Sequence, residues 1–215
     1  MKALSKITSL ALLSLTFTHA HSETIESGFY GLANFGTSIV EGTVVQTGYA
    51  NGKGENNTNG WQIGLGYDIN KYFATEVAYA QIYKTNNTWT SGSYINNNST
   101  SAVGLVLNGL AKYEVYDGVK IFGGPSVATA KLKQSSTYVY GTSTSYESSS
   151  KSTTPFGYII GASMALDPRT DLRISYSTYN KYTWSHAAGT GTSAQGAYKE
   201  TTKFSTILLG LSVKF

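Results

Sequence analysis

Cysteine is absent from this 215-residue chain, proline occurs three times, and charged side chains make up only 13% of it. The missing thiols exclude disulfide frameworks, thiolate metal sites and cysteine nucleophiles. An average soluble domain carries about 25% charged residues, so this chain is polar without being ionic. No dense Lys/Arg stripe is present, which argues against nucleic-acid binding. Nor does any stretch after the N-terminus hold the roughly 18 consecutive apolar residues of a transmembrane helix. What is abundant is 23 Gly and 17 Tyr, with many Ser and Thr, the vocabulary of strands and turns. With 40% hydrophobic residues the chain is too apolar for disorder, and its length suits one domain.

Residues 1–20 read as a secretory signal. Lys2 and Lys6 form a positive start, Ile7 to Phe17 an apolar stretch, and Thr18-His19-Ala20 a cleavage site. Cleavage there removes 20 residues and two lysines, leaving residues 21–215, 195 in all, with a formal charge of +2. A buried N-terminal helix is the plainer alternative, but no amphipathic stripe continues beyond residue 20.

The remainder alternates with period two. At the C-terminus Ile207, Leu209, Leu211, Val213 and Phe215 share one face, with Thr206, Leu208, Gly210, Ser212 and Lys214 on the other. About eleven residues of this kind make a strand long enough to cross a bilayer when tilted. Similar runs surround Phe35, Ile63, Val77, Leu105, Ile121, Ile160 and Ile174, which gives eight strands. Three connections are short (Asp68 to Lys71, Tyr116 to Gly118, Asp167 to Thr170). Four are long and rich in Ser, Thr, Asn, Gly and Tyr (41–58, 85–100, 132–153, 183–202). Short and long connections in alternation fit an up-and-down barrel trimmed at one end and elaborated at the other.

The polar face of these strands carries Asn34, Gln62, Glu76, Asn108, Lys120 and Arg173, and aromatics such as Phe29, Trp61, Tyr67, Tyr72, Tyr79 and Trp184 gather near strand ends. A membrane barrel turns its apolar face to lipid and fills its lumen with the polar one, with aromatic girdles at the interfaces. The expected fold is therefore all-β, an eight-stranded antiparallel up-and-down transmembrane β-barrel. A soluble β-sandwich is the alternative.

These segments resemble the barrel domain of outer membrane protein A and its small relatives, the X-like and opacity-like surface barrels. Gly28-Phe-Tyr-Gly-Leu-Ala-Asn-Phe-Gly36 is similar to the family's first strand, and Gly66 to Tyr79 to its second hairpin, with Glu76 inward. Asp167 to Tyr176 is similar to the third hairpin, with Arg173 inward. The terminal Phe215 matches the signal read by the barrel assembly machinery. The resemblance covers essentially the whole of 21–215, and the chain stops at the eighth strand, with no peptidoglycan-binding domain. One position departs: the inward acid expected on the sixth strand is Ser163, so a family-type lumen charge network is incomplete. The resemblance implies a bacterial outer-membrane location, extracellular loops, periplasmic termini and a monomer.

Four groups of residues are candidates for function. Glu76 and Arg173 form an expected charge pair in the lumen, either a structural plug or the gate of a narrow channel. Lys84, Lys131, Lys133, Lys181 and Lys203 lie where strands reach the long-loop end, a pattern suited to lipopolysaccharide phosphates or simply to solubility. Tyr138, Tyr140 and Tyr146 sit in a Tyr/Ser/Gly-rich segment whose composition is that of binding paratopes, consistent with a host surface ligand, although projecting strands would show the same alternation. Ser185 and His186 raise a lipid-modifying hydrolase as a further alternative, but strand neighbours point apart. No catalytic residue, cofactor or metal site is expected: Asp68, Asp117, Asp167 and Asp171 sit at turns, and Gly64-x-Gly66 lacks the helix of a phosphate-binding loop. The most economical reading is a surface protein of the envelope with a role in integrity and in recognition or adhesion. A closed barrel should migrate differently in SDS gels before and after boiling; recovery wholly as a soluble periplasmic protein would contradict it.

Overall fold

The computed structural model describes residues 28–46, 52–91, 94–140, 143–186 and 198–215. The expected signal segment lies outside these described residues. The described chain is nine antiparallel strands: β1 (Gly28–Gln46), β2 (Gly52–Asp68), β3 (Phe73–Ser91), β4 (Tyr94–Tyr116), β5 (Val119–Tyr140), β6 (Ser143–Thr153), β7 (Phe156–Ala165), β8 (Thr170–His186) and β9 (Tyr198–Lys214). Sequence neighbours pair with one another except β6 and β7, which both pair with β5, and β1 returns to β9 from Tyr30↔Lys214 to Gln46↔Tyr198. The sheet is thus closed. β6 pairs with the far half of β5 and β7 with its near half, so these two strands are halves of one stave. The break falls at Thr154-Pro155, where the Pro155 carbonyl accepts from the Ala128 N–H (3.0 Å) and proline itself offers no donor. Nine strands therefore make the eight-stave barrel that the alternation predicts.

The faces sort as expected of a barrel in lipid. Leu65, Val77, Leu107, Ile121, Ile160, Ile174 and Leu209 are exposed on the outside, while Asn34, Gln62, Glu76, Asn108 and Arg173 are buried within. Phe29, Tyr67, Tyr72, Tyr113, Tyr116 and Phe215 stand exposed at the short-turn end, with the Phe29 and Tyr67 rings 4.8 Å apart.

The described parts of the four long connections are strand, not slack loop. β4 has 23 residues and β5 has 22, about twice the roughly 9–11 a tilted strand needs to cross. Segments 85–100 and 132–153 are mostly ladder, from Thr85↔Thr100 to Ser91↔Tyr94 and from Ala130↔Thr153 to Tyr140↔Ser143. The described parts of 41–58 and 183–202, residues 41–46 with 52–58 and 183–186 with 198–202, likewise continue as strand. Thr, Tyr and Asn in alternation accept the extended backbone, and neighbouring arms satisfy its N–H and C=O groups.

The short turns are held by side chains. Asn70 Oδ1 accepts from the Tyr72 and Phe73 N–H groups (2.8 and 2.9 Å). Asp167 Oδ1 accepts from those of Arg169 and Thr170 (both 2.8 Å), and the Arg169 N–H in particular holds this exposed carboxyl below its usual range. Between β4 and β5 the turn needs Gly118, whose φ is +72°. A β-branched residue there should lower stability by about 1–2 kcal/mol. Urea unfolding in lipid vesicles checks this: Gly118→Val should unfold at lower urea, whereas Gly109→Ala, whose new methyl meets nothing nearer than 3.7 Å, should match the parent.

Candidate functional site

β3 and β8 lie on opposite sides of the barrel, and each points a charged residue at its axis. Arg173 Nη1 meets Glu76 Oε1 at 2.6 Å and Nη2 meets Oε2 at 3.4 Å. Tyr30 of β1 donates its hydroxyl to Oε1 (2.9 Å), and Asn108 of β4 donates Nδ2 to Oε2 (3.1 Å). Ser126 of β5 donates to Asn108 Oδ1 (2.7 Å) and shares a further bond with the Tyr179 hydroxyl (3.2 Å). One carboxylate thereby ties five staves together. Glu76 is 1% exposed and Arg173 is 5% exposed, so each charge is almost wholly withdrawn from bulk water.

Two rings frame the pair, and each needs a glycine beside it. Phe122 stacks on the Arg173 guanidinium, 4.8 Å from ring centre to Cζ. A Cβ at Gly161 would sit 2.4 Å from that ring, and one at Gly66 would sit 2.1 Å from the ring of Tyr30. These small residues on the inward face leave room for the aromatics that orient the ion pair.

The lumen is not uniformly polar. Toward the long-hairpin end Val40, Ile82, Tyr83, Val106, Leu132, Tyr179 and Phe204 pack into an apolar plug, with the Tyr83 and Phe204 rings 6.2 Å apart. Sequence alternation alone missed this plug. A register shift between Gln81 and Tyr83 turns both Ile82 and Tyr83 inward, and strict period two cannot reveal that. Toward the short-turn end the lining is charged. Lys112 meets Asp68 at 2.6 Å and Lys214 meets Asp171 at 3.9 Å, all four being partly buried.

The other candidates fall in different places. Lys84, Lys131 and Lys133 are exposed on β3 and β5, the two strands that flank β4, where Lys84 and Lys133 both lie opposite Ser101. Lys203 is across the barrel on β9, opposite Glu41 in the register. Lys181 lies in β8, and its side chain is outside the described residues. Tyr146 is exposed on β6 opposite Thr137, one position out of step with Tyr138, which lies opposite Ser145. The Tyr138 and Tyr140 side chains are outside the described residues. Ser185 and His186 lie at the end of β8 opposite Lys199 and Tyr198, again without described side chains. Phe215 ends β9 with its N–H on the Phe29 carbonyl (3.2 Å) and its ring exposed. Among the described residues no three His, Asp or Glu side chains are grouped to hold a metal.

A closed antiparallel sheet with an aliphatic outer belt and a lumen filled by side chains defines the class of outer-membrane β-barrels. The particular family follows from the sequence itself. Residues 8–215 match the outer membrane protein beta-barrel domain, and the chain belongs to that family, which places it in the bacterial outer membrane. No curated protein matches the chain in sequence. Among solved structures, the outer membrane protein OprG from Pseudomonas aeruginosa is similar with a TM-score of 0.53 at 10% identity, covering 91% of this chain and 99% of that one. Neisserial surface protein A gives 0.44 at 18% identity, with 88% and 99% covered. The attachment invasion locus protein Ail of Yersinia pestis gives 0.45 at 14% identity, with 87% and 99% covered.

Removing one partner of the ion pair strands the other in the lumen. Glu76→Ala should cost about 3–5 kcal/mol in vesicle unfolding experiments. Adding Arg173→Met in the same chain should recover much of that loss, since no uncompensated charge is then buried. Equal stability of the single and double variants would show that the pair does not act as a unit.

Proposed function

We propose that this protein is a non-enzymatic surface barrel that contributes to envelope integrity and presents its long hairpins for recognition or adhesion. In this reading the hairpin end faces outward, and the short turns and both termini face the periplasm. The observation that carries it is the length of the hairpins. The β4–β5 ladder continues from Leu105↔Thr129, at the outward aliphatic level, to Tyr94↔Tyr140, and β6 extends the same sheet. A mere connection between spanning strands needs none of this. Paired arms instead hold Ser, Thr, Asn and Tyr in fixed positions, so little ordering entropy is lost when a partner binds.

The arms also present sheet edges. β6 pairs with β5 alone, and β2 is joined to β3 by ladder only up to Trp61↔Gln81 among the described residues. An exposed edge can accept an added strand from a partner. The lysines Lys84, Lys131 and Lys133 mark where the aliphatic belt gives way to these arms, at the height at which lipopolysaccharide phosphates would meet the barrel. Phe215, free at the end of the closing strand, is suited to recognition by the assembly machinery before the barrel shuts.

A variant with residues 135–148 replaced by an Asn-Gly turn tests the recognition role. Cells carrying it should keep a heat-modifiable barrel in the outer membrane yet bind epithelial monolayers or matrix-coated surfaces several-fold less than cells with the full chain. Unchanged binding on every surface would rule this hairpin out as the recognition element.

A further inference from the structure

The cavity at the short-turn end of the lumen is lined by one more positive charge than its own carboxylates pair. Four cations (Lys112, Lys120, Arg173, Lys214) and three carboxylates (Asp68, Glu76, Asp171) line one cavity there. Glu76 takes Arg173, Asp68 takes Lys112 and Asp171 takes Lys214. Lys120 is left over: its register neighbour on β4 is Glu114, which lies outside the cavity lining, accepts from the Gly118 N–H (3.1 Å) and forms no ion pair with it among the described residues. The register shows where the imbalance lies: Lys120 of β5 is opposite Ser163 of β7, and Ser163 is opposite Arg173 of β8. A hydroxyl therefore stands between two cations, on a stave that carries no acid into the cavity.

A second observation points to the same place. Both Nη atoms of Arg173 are engaged by Glu76, and its Nε is buried without any hydrogen-bond partner. A buried guanidinium N–H left unmade is costly, so something is expected to accept from it. No acceptor among the described residues reaches it, whereas Lys120 and Ser163 bring two further donors to the same cavity. The cavity measures about 40 Å³, against the roughly 10–15 Å³ that one water requires. Its lysines retain some exposure, Lys112 and Lys214 being 14% and 13% exposed, so a small solute can enter from the short-turn end.

We propose that Lys120, Ser163 and Arg173 Nε form a binding site for a small monovalent anion, a halide or a one-carbon carboxylate, which takes the place of a carboxylate side chain on β7. The anion neutralises the surplus charge, accepts from the orphaned N–H and locks β5, β7 and β8 together. The cavity volume suits chloride or formate, while an anion the size of gluconate does not fit. The site is independent of whatever the hairpins bind.

Anion-dependent stability tests the site. Protein refolded in neutral phosphatidylcholine vesicles is unfolded with urea in sodium chloride, sodium formate or sodium gluconate at one ionic strength. The parent chain should gain stability saturably with chloride or formate over gluconate. The ratio of folded to unfolded protein should rise about tenfold once the anion is about ten times its dissociation constant. If only one of the two anions acts, that one is the ligand class. Ser163→Asp supplies a tethered carboxylate, so it should show the loaded stability in gluconate and no further response. Lys120→Met removes the surplus charge and should also abolish the response; it decides the matter alone if Ser163→Asp fails to fold. A parent chain that behaves alike in all three salts, or variants that keep the parent's full response, would overturn the proposal.

Discussion

Within hydrocarbon, a peptide N–H or C=O without a partner costs several kcal/mol, so a sheet that crosses a membrane has to close. Here closure is the β1–β9 ladder, and much else follows from it. Eight staves set a lumen just wide enough for side chains to fill. Filling it turns every second residue inward, and among those are a glutamate on β3 and an arginine on β8. At that diameter the two meet across the axis, with Tyr30 and Asn108 completing the carboxylate's shell. The ion pair is thus a consequence of closure as well as a brace for it: burial makes each charge depend on the other, and their hydrogen bonds join staves that no ladder connects.

The same constraint relaxes where water returns. Above Trp61↔Gln81 the β2–β3 ladder stops, and the seam is held by side chains instead, with the Thr58 hydroxyl donating to the Lys84 carbonyl and Gln81 Nε2 to the Asn59 carbonyl (3.1 Å). At Pro155 the sixth stave breaks, and beyond it β6 follows β5. The arms above the aliphatic belt are therefore grouped as β2-β1-β9-β8 and β3-β4-β5-β6. Edges that would be forbidden in lipid are tolerable in water, where solvent satisfies the unpaired groups. Lipid enforces the ring, and its absence permits two separate sheets.

What could be read from the sequence tracks these two regimes. In the belt, lipid outside and side chains inside enforce strict alternation, so Ile207 to Phe215 or Asn34, Gln62, Glu76 and Arg173 disclose their faces directly. Above the belt both faces meet water, polar residues occupy both, and the segments look like loops. Only the backbone pairing of 85–100 and 132–153 reveals strands, and Thr and Tyr enrichment was the available signal. The plug stayed hidden for another reason. Register shifts at Gln81/Tyr83 and Tyr179/Tyr182 break the period, and nothing in the composition announces a bulge. The gap at Ser163, by contrast, was visible as a missing acid, but the unpaired Lys120 and the idle Arg173 Nε beside it needed coordinates to be seen.

The layering of the lumen bears on whether such a barrel conducts. A gate made by one ion pair could open by exchanging partners, since Lys112, Lys120 and Lys214 lie close by in the same cavity. That exchange would free the lower half of the lumen only. Above the pair, Tyr83, Leu132, Tyr179 and Phe204 fill the bore with apolar bulk, and Ala102 and Ala128 are fully buried around them. These groups have no charged alternative to move toward, and hydrating their cavity forfeits burial worth about 25 cal/mol for each Å² of apolar surface exposed. Ion passage would require the pair to switch and the plug to be displaced at the same time, and the hydrogen-bond chain Glu76–Asn108–Ser126–Tyr179 ties the pair to the plug in the closed arrangement. The arrangement therefore favours a sealed barrel whose charged end is open to solutes on one side alone.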